Sequence, residues 1–99
     1  MDFLITAHDA DDAIERRREH RPAHLENVRR VARDGHVRSA GAILDAEGQM
    51  VGSTLHVTFP SRRDLQAWLD SDPYTVGQVW QTVSVQEIRL ANLSDPAPQ

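Results

Sequence analysis

The chain has 99 residues, 39% of them hydrophobic and 26% charged, and a net charge of −4. That length supports one hydrophobic core without metals or disulfides and leaves no room for a second domain, and the mixed composition excludes a disordered chain. Cysteine is absent and all eleven basic residues are arginine, which removes thiolate, zinc-knuckle and iron–sulfur chemistry together with Schiff-base and P-loop lysines.

Phe3 to Ala7 form a short apolar segment that reads as a first strand. Asp12 and Glu15 have capping-box spacing for a helix start, and Pro22 predicts a kink or restart inside that helix. Arg16, Arg17 and Arg18 lie among Asp9, Asp11, Asp12, Glu15 and Glu19, so the run reads as a solvated face with on-helix ion pairs rather than an anion site. Leu25, Val28 and Val31 or Ala32 continue at helical spacing, with Glu26 facing Arg29 and Arg30, and Asp34-Gly35 ends the helix. Val37 to Leu44 and Met50 to Phe59 predict a hairpin around Asp45-Ala46-Glu47-Gly48. In its second strand Val51, Leu55, Val57 and Phe59 share an apolar face, which also holds Ser53. Ser61 caps a second helix with Leu65, Trp68 and Leu69 as its buried stripe, and Ser71-Asp72-Pro73 ends or redirects it. Val79 to Leu90 reads as the last strand, and residues 94–99 are expected to be a frayed tail after a domain spanning 1–93.

The order βαββαβ predicts an α+β, ferredoxin-like sandwich: two helices on one face of a four-stranded antiparallel sheet. The other face, expected to carry Met50, Trp80, Ile88 and Leu90, needs a cover, and a second copy packed sheet to sheet is the simplest one. RNA-binding domains share the topology but stack bases on aromatic residues of the two central strands, where this chain offers Phe3 and Phe59; the acidic balance also argues against a nucleic-acid partner. The N-terminus lacks the basic start and long apolar middle of a signal peptide, and no apolar run matches a bilayer, so a cytoplasmic protein without a membrane partner is expected.

His24, two residues after Pro22 and beside Leu25, sits near a boundary where a histidine can serve as a general acid or base; on residue type alone an edge-packed or exposed histidine is the commoner case. His20 and His24 have metal-ligand spacing, but no third ligand is evident. Asp72 precedes Pro73, which pushes it into the extended backbone an N-cap requires. A capped aspartate can still give its second oxygen to an imidazole N–H, so the capping and catalytic readings are compatible. His8, His36 and His56 read as surface residues.

Arg21-Pro22-Ala23-His24-Leu25, Ser39-Ala40-Gly41, Gly52-Ser53-Thr54 and Asp72-Pro73-Tyr74, in this order, resemble the YciI-like (YCII-related) proteins over nearly the whole chain. The resemblance implies a ferredoxin-like fold paired into a dimeric α+β barrel, and a pocket built around a His–Asp pair. Carried over, the histidine is His24 and the aspartate Asp72, with Arg21, Ser53, Tyr74 and Gly41 as substrate-binding neighbours. Ser53 is an independent sign, because a hydroxyl on an apolar strand face needs a buried polar partner.

Two functions follow. The resemblance implies an enzyme of lyase, isomerase or dehydrochlorinase type acting on a small anionic metabolite, in which His24 would transfer a proton, Asp72 orient it and Arg21 hold an anion, with no metal or organic cofactor. The alternative is a non-catalytic ligand-binding or interaction module on the same dimeric scaffold.

Overall fold

The computed structural model describes residues 1–94, so of the tail expected over 94–99 only Ser94 falls within the described residues. The elements are β1 (Asp2–Asp9), α1 (Ile14–Arg33), β2 (Val37–Leu44), β3 (Met50–Thr58), α2 (Arg62–Ser71), α3 (Pro73–Val76) and β4 (Trp80–Ile88). They build one antiparallel sheet in the order β2-β3-β1-β4. Phe3, Ile5 and Ala7 of β1 and Leu55 and Val57 of β3 are buried with Leu65, Trp68 and Leu69 of α2. The alternation that reads as strand in the sequence thus turns one sheet face toward the helices.

Two capping expectations hold: Ser61 Oγ accepts from Asp64 N at 3.1 Å, and Gly35, with φ at +83°, follows the Asp34 C-cap. The capping box at Asp12 does not form. Ala13 is the N-cap without a side-chain bond, because Asp12 pairs with Arg16 at 3.1 Å and Glu15 with Arg18 at 2.9 Å. The Arg16 hydrogen bond also holds the Asp12 carboxyl below the usual range. Nor does Pro22 break the helix, since α1 runs through it; Pro22 and Arg18 are both exposed, so the carbonyl that lacks a donor can be solvated. Glu26 meets Arg33 at 3.4 Å instead of Arg29 or Arg30.

The arginine run is a solvated face in two of its three members. Arg17 is 5% exposed and buried, because one residue in such a run must fall on the inward stripe of an amphipathic helix. The open sheet face also differs from expectation. His8 pairs with Thr82 but Asp9 with Trp80, so a bulge reverses the alternation and turns Trp80 toward the helices. Met50 shares a groove with Ile14, Arg17 and Arg18. By register the open face carries Leu4, Thr6, Ile43, Thr54, His56 and Ile88, while Leu90 lies beyond β4. Phe3 and Phe59 are buried, which leaves neither aromatic ring on that face. His36 is half-buried rather than a surface residue, stacked on Phe59 at 4.8 Å with Nδ1 bonded to the Thr58 carbonyl at 2.7 Å.

Gly52 sits where β1 and β3 approach closely. A Cβ there would lie 2.5 Å from the Ala7 carbonyl oxygen and 3.0 Å from Ile43 Cδ1. Backbone of a central strand cannot yield without disturbing its ladder, so Gly52→Ala is predicted to cost about 1–3 kcal/mol. Urea denaturation measures it; an unchanged midpoint contradicts the packing described.

Candidate functional site

On α1, positions 17, 24, 27 and 28 share the inward face, and all four are buried. Opposite them the chain leaves α2 and re-enters helix at α3. Asp72, with φ −66° and ψ 138°, is held extended by Pro73, and its Oδ1 accepts from Tyr74 N at 2.8 Å. The carboxylate is 0% exposed. His24 Nδ1 lies 2.8 Å from Oδ1 and 3.0 Å from Oδ2, and Asn27 Nδ2 donates to Oδ2 at 2.8 Å. Arg30 donates to Asn27 Oδ1, and because a guanidinium cannot accept, that contact fixes which end of the Asn27 amide faces Asp72.

The His24 ring stacks on Tyr74 at 3.9 Å and meets the edge of Trp80 at 5.7 Å. With Nδ1–H committed to the carboxylate, Nε2 is the nitrogen left as base, and it has no partner among the described residues. His20 does not join it: a Cβ on Gly77 would lie 2.5 Å from the His20 ring, so that ring packs over α3.

A cavity of about 150 Å³ opens beside the dyad. His24, Arg21, Ser53, Tyr74 and Gly41 all line it, whereas Asp72 sits behind His24 and does not reach its surface. Ala40 and Ala42 of edge strand β2 line it too, and their small side chains leave the space open. Arg21 is exposed.

Arg17, Asp9, Asn27 and Trp80 also belong to this constellation and were not singled out from the sequence as site residues. Arg17 Nη1 donates to both Asp9 oxygens at 2.9 and 3.0 Å, its Nη2 to Ser53 Oγ at 3.0 Å, and its guanidinium lies 4.6 Å from the Tyr74 ring centroid. Trp80 Nε1 donates to the same Ser53 oxygen at 3.2 Å. A signal for Arg17 was present: residues 13, 17, 24 and 28 are spaced four, seven and four apart, which is one helix face. Burial pushes the Asp9 carboxyl above its ordinary range although Arg17 pulls it down. The ion pair therefore places Arg17 more than it stabilises the fold. Burial likewise pushes the Tyr74 hydroxyl up, against the pull of Arg17 and Arg21.

Comparison with known proteins agrees with this architecture. The model of the YCII-related domain matches residues 1–89. The chain belongs to the YCII-related family. Protein YciI of Escherichia coli O6:H1 is 33% identical over 95 residues, covering 90% of this chain and 97% of that protein, and Protein YciI of Shigella flexneri matches equally. Among solved structures, 5-chloro-2-hydroxyhydroquinone dehydrochlorinase (TftG) from Burkholderia phenoliruptrix AC1100, in complex with 2,5-dihydroxybenzoquinone, aligns with a TM-score of 0.85 at 22% identity over 92% of this chain and 96% of that one. Rv0793 from Mycobacterium tuberculosis aligns with a TM-score of 0.52 at 16% identity, over 92% and 96% of the two chains. These likenesses place the YCII-related chain in the ferredoxin-like α+β fold.

Asn27→Ala removes one of three donors from a buried carboxylate and is predicted to cost about 1–3 kcal/mol in urea denaturation, with no change meaning the amide is dispensable. Tyr74 provides a second check. The chain has one tyrosine and no lysine or cysteine, so Tyr74 is the side chain whose ordinary value, about 10, lies in the mildly alkaline range. Its folded pKa is raised, so its contribution to stability is fully present below the unfolded value near pH 10 and is lost as pH rises through the folded value. Stability is predicted to fall over that alkaline range in the wild-type protein, and Tyr74→Phe to flatten the slope; an equal slope in both contradicts the burial described.

Proposed function

We propose that this YCII-related protein is a cofactor-independent enzyme in which His24 transfers a proton and Asp72 orients it, acting on a small anionic metabolite in the cytoplasm. The observation that carries the reading is the 2.8 Å bond from His24 Nδ1 to a fully buried carboxylate, with the same imidazole lining a cavity. A carboxylate at Nδ1 selects the tautomer whose Nε2 can accept a proton, and it stabilises the imidazolium that results. The surrounding chemistry suits an anionic substrate: Arg21 stands at the exposed edge of the cavity, and its fork can pair with a carboxylate. Ser53, Tyr74 and the backbone at Gly41 complete the wall that the substrate meets.

Lyase, isomerase and dehydrochlorinase reactions share the step this pair can perform, removal of a proton from carbon and its return or the departure of a leaving group. The name of TftG adds chlorinated hydroquinones to the compounds worth testing, by analogy of fold. In this reading the working unit is a homodimer paired through the open face of the sheet, where Leu4, Ile43 and Ile88 interrupt the polar side chains.

A panel of lactones, enones and chlorinated hydroquinones, followed for turnover, tests the proposal. His24→Ala and Asp72→Asn are each predicted to lower kcat/KM by about 10²-fold or more while the far-ultraviolet circular dichroism is kept. A folded His24→Ala variant with full activity on an identified substrate contradicts it. A ligand that binds in a His24-dependent way and is never converted selects the binding-module reading instead.

A further inference from the structure

The wall of the cavity that His24 lines also holds a hydroxyl with one option left. Ser53 is 2% exposed on the helix-facing side of β3. Its oxygen accepts from Arg17 Nη2 and from Trp80 Nε1. A serine oxygen has two acceptor lone pairs, and neither a guanidinium nor an indole N–H can take a proton from it. Both lone pairs are therefore spent on partners that only donate. The Ser53 proton has no acceptor among the described residues, and Ser53 lines the cavity.

Arg17 is held in the same condition. Asp9 takes one terminal nitrogen, Ser53 takes the other, and its buried Nε–H has no acceptor. Donation from a guanidinium polarises the Ser53 hydroxyl and makes it a stronger donor toward anything beyond it. This part of the wall thus offers protons and no lone pairs, while His24 Nε2 offers a lone pair. A site that receives a proton at one point and donates hydrogen bonds at another is matched to a substrate whose oxygen gains charge as its carbon loses a proton.

We infer that Ser53 donates a hydrogen bond to an oxygen that becomes negatively charged during the reaction, and that the cavity takes small carbonyl or phenol-type compounds about the size of one ring. The size follows from the cavity of about 150 Å³, a volume at which an engineered protein cavity holds benzene. The inference rests on the proton-transfer reading above for its reaction step. In that step the C–H bond beside the carbonyl breaks and its proton goes to His24 Nε2. The electron pair of that bond forms the new C=C bond, and the carbonyl π pair moves onto the oxygen that Ser53 holds. Where the substrate carries a further C=C next to that carbon the product is a dienolate, and return of the proton from the imidazolium to its far carbon moves the double bond into conjugation, restores neutral His24 and yields an isomer, with no oxidant or reductant consumed. Arg17 and Trp80 are positioning residues in this scheme: they occupy the Ser53 lone pairs and so aim its proton.

The probe is 4-nitrophenol at a pH where it is ionised, a single ring bearing an oxyanion, with nitrobenzene as the neutral counterpart. Binding is read by the absorbance of the phenolate and by tryptophan quenching. The wild-type protein is expected to bind 4-nitrophenolate more tightly than nitrobenzene, and Ser53→Ala to weaken the phenolate by at least about tenfold while leaving nitrobenzene unchanged. Because Ser53→Ala strands two buried donors, Ser53→Cys is the companion variant: it keeps an acceptor for Arg17 and Trp80 but donates weakly, and it is expected to lose most of the preference with a near-native unfolding midpoint. Arg21→Gln separates general attraction at the cavity edge from the Ser53 contact and is expected to leave the Ser53 effect in place. Turnover is read separately on the compound panel above, so Ser53-dependent phenolate binding with no His24-dependent turnover supports the Ser53 contact while removing the proton-transfer reading. Equal phenolate affinity in the wild-type and Ser53→Cys proteins, or no preference over nitrobenzene, overturns the assignment.

Discussion

Asp72 places a carboxylate where no water reaches it, and a charge in that position is costly unless its oxygens are hydrogen-bonded. Three donors meet the requirement: the backbone N–H of Tyr74, the amide of Asn27 and the ring of His24. They come from two separate stretches of chain, so the carboxylate also joins α1 to the start of α3. Because the fold must satisfy Asp72, it must hold His24 in one orientation. The orientation of the imidazole beside the cavity is thus a consequence of solvating a buried charge from within the protein.

Helix α1 carries most of the remaining machinery along one face. Arg17 reaches Asp9 and Ser53, His24 reaches Asp72, and Asn27 reaches Asp72 from one turn further on. A continuous helix keeps these side chains in fixed relation, which explains why an uninterrupted α1 through Pro22 matters more than the hydrogen bond the proline removes. The cavity arises from a size difference across the gap. The helix contributes long polar side chains, and β2 answers with Ala40, Gly41 and Ala42. Tyr74 links the parts, stacking on His24 while lying under the Arg17 guanidinium.

Much of this was legible in the sequence, for local reasons. The hairpin, the Ser61 cap, the Gly35 stop and the extended backbone at Asp72 each follow from residue types within a few positions. The pairing of His24 with Asp72, 48 positions apart, came from resemblance to a family and not from spacing. What escaped depended on contacts that local patterns do not encode. Arg17 looks like its neighbours in residue type; the helical spacing marks it as the inward one, but its partners Asp9 and Ser53 lie on other elements. Trp80 changes face because of one extra residue in β4, and no alternation pattern announces a bulge. The Asp12 cap was lost to a nearer competitor, the Arg16 side chain. Asn27 gives no sign of its role until Asp72 and Arg30 are both beside it.

The hydrogen bond from His24 Nδ1 to Asp72 dictates which ring nitrogen carries the proton. Long-range ¹H–¹⁵N NMR of the histidine rings, at a pH where His24 is neutral, reads the tautomer directly. The wild-type protein is predicted to show His24 protonated at Nδ1 with Nε2 bare, and Asp72→Asn to lose that preference. A wild-type His24 protonated at Nε2 would leave no base at the cavity and would contradict the proton-transfer role proposed.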